Sequence, residues 1–170
     1  MDFKKFIIKL LMIIFAFSSI AEEKVLEDQN TEFSVYTGMF DFSDDGKKST
    51  LIGMEHQNKN LYKETKIGTI SPITGFMYTA DNAAYLYTGI EANYDVGPFN
   101  LTPSFTPGLY HKGDGKDLGH IIEFKSEVEI SLDLSEETNF GFSYNHVSNA
   151  SLGKKNPGAN SYMFNFLKKF

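Results

Sequence analysis

The chain has 170 residues, 16 basic and 22 acidic side chains, a formal charge of −6 and no cysteine. That length suits one domain, an acidic chain is a poor partner for nucleic acid, and a fold without disulfides has to be held by burial or by closed strand pairing. Every basic residue is a lysine, so any phosphate would meet point charges in loops rather than the bidentate fork of arginine.

The first residues carry Lys4, Lys5 and Lys9, then an apolar run to Phe17, then Ser18-Ser19-Ile20-Ala21. This is the anatomy of a secretory signal peptide, too short and wrongly flanked for a spanning helix. Cleavage after Ala21 makes residues 1–21 the signal peptide and 22–170 a single β-barrel domain of 149 residues (170 less 21). Losing three lysines and Asp2 takes the basic count from 16 to 13 and the acidic count from 22 to 21, a net charge of about −8. Beyond the signal no stretch approaches the roughly 20 apolar residues of a membrane helix. Membrane strands escape such a test, because every second residue dilutes their apolar content.

Strands are predicted at about 32–42, 50–57 and 66–80, rich in aromatic, β-branched and glycine residues but without clean alternation, so their faces stay unassigned. In the next, Leu86, Ile90, Ala92, Tyr94 and Val96 oppose Tyr85, Tyr87, Gly89, Glu91 and Asn93. Then Phe99, Leu101, Pro103, Phe105, Pro107 and Leu109 alternate with Asn100, Thr102, Ser104, Thr106 and Gly108. Pro72, Pro103 and Pro107 lack a ladder donor and belong at distortions. The clearest segment is 118–134. Ile122, Phe124, Val128, Ile130, Leu132 and Leu134 share one parity, with Ser126 the exception, and Glu123, Lys125, Glu127, Glu129 and Asp133 share the other. The charged face reads as an internal ion-pair network filling a narrow barrel. The next strand aligns Phe140, Phe142 and Tyr144 with His146 and Ser148, and the last aligns Asn160, Tyr162, Phe164 and Phe166 and closes on Phe170.

Turn signals at 43–48, 58–64, 81–82, 95–98, 112–117, 135–138 and 149–159 divide the chain into eight strands. The expected fold is all-β, an eight-stranded antiparallel transmembrane β-barrel of the outer-membrane type, and the competing architecture is a soluble lipocalin-like barrel. An even strand count puts both termini on one side and the first, third, fifth and seventh connections on the other, facing outward. His146, Ser148 and Asn160 then converge on the outer-leaflet end of the lipid-facing surface. A histidine and a serine on one strand face, two residues apart, can act as base and nucleophile. His56, His111 and His120 read as interfacial residues. No spacing matches a metal motif, so neither metal nor cofactor is expected.

At these residues the chain resembles the lipid A 3-O-deacylases, the PagL family of outer-membrane acyloxyacyl hydrolases. The resemblance rests on His146-x-Ser148-Asn149-Ala150, the following Asn156-Pro157-Gly158, and a polar residue at 160. It implies a serine esterase that removes the ester-linked 3-hydroxyacyl chain at position 3 of lipid A. Ser148 would be the nucleophile, His146 the general base, Asn160 the residue that orients the imidazole, and Asn149 with the backbone amide near Ser151 the oxyanion hole. One member of the family carries an acidic residue at the place of Asn160, and a glycine is common at the place of Ser151. An asparagine can orient an imidazole but gives it no charge stabilisation, so a slower site is expected. The implied partners are lipid A or lipopolysaccharide as substrate and the surrounding outer-membrane lipids, with a homodimer also compatible. The implied location is the outer membrane of a Gram-negative bacterium. Two further readings are a non-enzymatic structural or adhesion barrel and a lipid A acyltransferase.

Overall fold

The computed structural model describes residues 31–58, 61, 63–65 and 68–169. The proposed signal peptide lies outside the described residues. Nine antiparallel strands are present among them: β1 (Thr31–Phe40), β2 (Ser49–Asn58), β3 (Lys63–Thr65), β4 (Gly68–Thr79), β5 (Ala84–Val96), β6 (Phe99–His111), β7 (Ile122–Ser135), β8 (Thr138–Ser148) and β9 (Ala159–Lys169). Each long strand pairs with its sequence neighbour, β1 pairs with both β2 and β9, and β2 pairs with β4. The sheet therefore closes on itself as an eight-stranded barrel, which leaves no open edge.

The short β3 is the ninth strand. It continues β2 along β4, with Lys63 opposite Ile70 and Thr65 opposite Gly68. Residues 63–64 were expected in a turn, so the second hairpin is longer than the sequence suggests. A second correction concerns the strand expected from residue 118. Residues 118–121 belong to the preceding loop, where Leu118 is fully buried, and β7 begins at Ile122. Along β5 and β6 the ladder runs from Tyr87–Gly108 to Ile90–Phe105 and from Glu91–Ser104 to Tyr94–Leu101, skipping the steps that contain Pro107 and Pro103. Prolines without an N–H account for both gaps.

Alternation sorts the side chains between lipid and lumen. Phe33, Val35, Ile52, Met54, Ile90, Phe105, Val128, Ile130, Phe140, Phe142, Phe164 and Phe166 are exposed on the outer wall. Inside, Lys125 pairs with Glu55 at 2.9 Å and Glu127 at 3.1 Å, and it lies 4.2 Å over the Tyr87 ring. The Tyr87 hydroxyl donates to Glu55 at 2.6 Å and meets that of Tyr36 at 2.8 Å. Glu129 is held by Asn165 instead, and Glu123 makes no ion pair among the described residues, so the expected network is narrower than the run of charges implied. Large rings fit because small residues face them: a Cβ on Gly75 would lie 2.5 Å from the Tyr87 ring.

Toward one end, Tyr36, Phe40, Leu51, Met77, Tyr85, Tyr110, Leu118, Val147, Ala159 and Met163 fill the lumen as an apolar plug. The loops at 41–48, 80–83, 112–121 and 149–158 gather over this end. Lys116 reaches the buried Asp41 at 2.6 Å, Asn82 donates to Asp114 at 2.9 Å, and Lys155 meets Asp117 at 3.1 Å. Lys155 and the Gly119 N–H together hold the Asp117 carboxyl below the usual carboxylate range. The other end carries the tight turns at 97–98 and 136–137 together with Thr31 at the start of β1 and Lys169 at the end of β9, as pairing of the first and last strands of an even-stranded barrel requires. A cavity of about 320 Å³ lies toward that end, bordered by Glu32, Glu91, Asp95, Glu129, Asp133 and Lys169.

Candidate active site

Strands β8 and β9 bring His146 directly opposite Asn160 at the loop end of the barrel. His146 has the parity of Phe140, Phe142 and Tyr144, all of them exposed, so the imidazole stands on the lipid-facing wall. Its Nδ1 lies 2.8 Å from Asn160 Oδ1. A carboxamide oxygen only accepts, so Nδ1 carries the proton and Nε2 presents its lone pair. That is the tautomer a general base needs. The same Oδ1 accepts from the Tyr144 hydroxyl at 2.9 Å, and Asn160 Nδ2 donates to Ser43 Oγ at 3.2 Å.

Ser148 follows two residues later on the same face, half-buried and opposite Phe124 of β7. Two strand residues span roughly 6.6 Å, a gap two side chains can close. No hydrogen bond joins the hydroxyl to the imidazole among the described residues. Catalytic contacts of this kind commonly tighten only when substrate is bound. The imidazole's free edge rests against Gly158, where a Cβ would fall 2.7 Å from Cε1 and 3.1 Å from Nε2. Gly158 also has φ +62°, a conformation that favours glycine.

Beyond Ser148 the chain turns sharply. Ala150 and Ser151 both have positive φ, 50° and 66°, and Leu152 N donates to Asn149 O at 2.9 Å, which gives a turn of the I′ kind. Asn149 anchors this turn from inside. Its Nδ2 donates to Leu118 O at 2.7 Å and to Lys155 O at 2.9 Å, and its backbone N–H donates to Asn156 Oδ1 at 3.0 Å.

The three residues expected to converge therefore do share one outward patch, and His146 and Asn160 are in contact. Asn149, expected at an oxyanion hole, has its side chain on the opposite parity, fully buried, with both amide and backbone donors committed to loop acceptors. Ser151 lies exposed in the turn itself. Sequence reasoning missed four contributors: Tyr144, Ser43, Gly158 and Asn156. Gly158 and Asn156 stood in the quoted motif without a role, and Tyr144 was read only as part of the aromatic wall. Ser43 comes from the first loop, more than 100 residues away, and the sequence carried no signal for it. Ser126, the one polar exception on the oily face of β7, pairs with His146 and so marks the same patch. Among the described residues no group of three His, Cys, Asp or Glu side chains is placed to hold a metal ion.

Around the patch the wall is aromatic. Phe42 packs against Tyr144 and Tyr162 with ring centroids 6.2 and 5.5 Å apart, and Phe142 lies between Tyr162 and Phe164 at 6.2 and 5.5 Å. Fold and patch together define a class: a small membrane-spanning barrel with a serine, a histidine and an asparagine set at the loop end of its outer wall.

Within that class, the family model of the lipid A 3-O-deacylase (PagL) matches residues 31–169, and the chain belongs to this family. Among solved structures it is similar to the outer membrane enzyme PagL, at 15% identity and a TM-score of 0.62, over 82% of this chain and 99% of that one. It is also similar to Neisserial surface protein A (10% identity, TM-score 0.53, 82% and 96% covered) and to a de novo designed transmembrane β-barrel (14%, 0.51, 85% and 100%). At such identities the likeness is one of fold. No curated protein matches the chain in sequence.

Proposed function

We propose that this protein hydrolyses the ester joining a 3-hydroxyacyl chain to position 3 of lipid A, working on substrate that lies in the outer leaflet beside the barrel. Ser148 Oγ attacks the ester carbonyl while its proton passes to His146 Nε2. The tetrahedral intermediate collapses, the sugar oxygen leaves with that proton, and the acyl group stays on Ser148. Water then attacks the acyl-enzyme, giving a proton to His146, which passes it to Ser148 Oγ as that oxygen leaves and the 3-hydroxy acid is released. The observation that carries this reading is the 2.8 Å contact from His146 to Asn160, on the lipid-facing wall, with Ser148 two residues on.

The oxyanion donors are backbone amides of the turn at Ala150 and Ser151, held by Asn149 from inside the barrel. Each such donor contributes about 2.7–4 kcal/mol to the transition state when preset toward the developing charge. A lipid-facing site also admits an acyl chain without drawing it out of the bilayer, and the aromatic wall below the patch supplies a surface for it. The chain reaches the outer membrane of a Gram-negative cell by export and cleavage after Ala21.

The test is mass spectrometry of lipid A from cells producing the protein, beside cells producing Ser148→Ala. Loss of one 3-hydroxyacyl chain with the unmutated protein alone supports the reading. Unchanged lipid A in cells with abundant folded protein refutes it.

A further inference from the structure

We infer that Tyr144 and Ser43 are positioning residues that hold the Asn160 carboxamide the right way round, and that the first loop, through Ser43, is thereby part of the active site. The inference rests on the assignment of His146 and Ser148 proposed above, and it follows from a property of amides. A carboxylate offers His146 the same acceptor whichever oxygen faces it. A carboxamide does not. Turned by 180° about its last bond, Asn160 would present Nδ2 to His146 Nδ1. The imidazole would then have to accept there and carry its proton on Nε2, the tautomer that cannot take a proton from Ser148.

Three contacts hold the carboxamide in the productive orientation, and of these the Tyr144 hydroxyl discriminates between its two ends, whereas the Ser43 hydroxyl, which can donate as well as accept, ties the amide to the first loop. His146 Nδ1–H and the Tyr144 hydroxyl converge on Oδ1 at 2.8 and 2.9 Å, and Ser43 Oγ accepts from Nδ2 at 3.2 Å. A phenol is a better donor than acceptor, because its lone pair is shared with the ring, so Tyr144 favours the oxygen side. Ser43 takes the nitrogen side. The loop is fixed in place to do so: Phe42 N donates to Asn160 O at 2.9 Å, and the Phe42 ring packs on Tyr144 and Tyr162. Asn160 is thus held at its backbone and at both ends of its amide by residues 42, 43 and 144.

The experiment is a double-mutant comparison on purified full-length protein in detergent, following release of 3-hydroxy fatty acid from lipid A. Tyr144→Phe and Ser43→Ala are each made with Asn160 and with Asn160→Asp. One hydrogen bond's preference for the productive orientation corresponds to about fivefold in rate. We expect each substitution to lower kcat about fivefold with Asn160, with KM little changed, and to have no such effect in the Asn160→Asp background, where the acceptor is symmetric. Such non-additivity is the signature of residues acting through one another. Ser43→Thr, which keeps the hydroxyl, is expected to restore kcat. An equal loss in both backgrounds would reveal a merely structural role, and no loss with Asn160 would remove any role; either overturns the inference. Ser148→Ala separates the two levels. If it stays active, the nucleophile assignment itself fails, whereas if it is inactive and the pairs are additive, only the orienting role falls.

Discussion

Gly158→Ala tests the site's geometry through a single methyl group. In the native backbone that methyl would sit 2.7 Å from His146 Cε1 and 3.1 Å from Nε2. Ordinary carbon contacts lie at about 3.5–4.0 Å, so the ring has to retreat by roughly 0.8 Å or more. Its Nδ1 is bound to Asn160 Oδ1 at 2.8 Å, and a shift of that size distorts this bond. Misplacing a reacting group by about 1 Å costs on the order of 10²-fold in rate. The substitution also forces alanine to φ +62°, at roughly 1–2 kcal/mol of stability. The expected outcome is a folded barrel with a somewhat lower unfolding midpoint and a kcat reduced about 100-fold. Heat-modifiable gel migration reports folding, and fatty-acid release in detergent reports kcat. A folded variant with unchanged kcat would mean that the imidazole does not work from the position described.

Asn160→Asp adds a charge near the imidazolium that forms during attack. At about 4 Å and full aqueous screening this is worth about 1 kcal/mol, so kcat should rise at least about fivefold by the same assay. Ser151→Gly relieves a serine held at φ +66° and should raise stability toward denaturant by roughly 1 kcal/mol. Asn149→Ala strips donors from the Leu118 and Lys155 carbonyls, which should destabilise the loop by about 1–3 kcal/mol and show as faster protease nicking within 149–158 together with lower activity. Lys125→Met leaves Glu55 and Glu127 without their buried cation, so unfolding in urea should show a loss of about 3–5 kcal/mol.

The second half of the barrel was legible because its lumen-facing positions are charged or polar. Glu123, Lys125, Glu127 and Glu129 against Val128, Ile130 and Leu132 leave no doubt about parity, and the register of β7 with β8 follows the same alternation. In β1, β2 and β4 that contrast vanishes, because the apolar plug is built from their inward residues. Phe40, Leu51, Ile73 and Met77 are buried in the lumen while Phe33, Ile52 and Phe76 face out, so both faces read as oily. The extension of β2 by β3 was hidden by Asn58 and the polar run after it, which read as a turn. At the site, parity and strand direction were enough to bring His146, Ser148 and Asn160 together. The inward rotation of Asn149 was also implicit, since it has odd parity beside Ser148, but a motif reading overrode it. What alternation cannot supply is the meeting of loops, and Ser43 reaches Asn160 only because four loops fold over one end of the barrel.

The central claim is that Ser148, activated by His146 on the outer wall of the barrel, removes the 3-O-acyl chain of lipid A. Its most direct test is incubation of purified protein with lipid A in detergent and quantification of free 3-hydroxy fatty acid, for the unmutated chain, Ser148→Ala and His146→Ala. The account predicts one equivalent of acid per lipid A with the unmutated chain and a near-complete loss of release with either variant. Release by folded Ser148→Ala at the unmutated rate would contradict it.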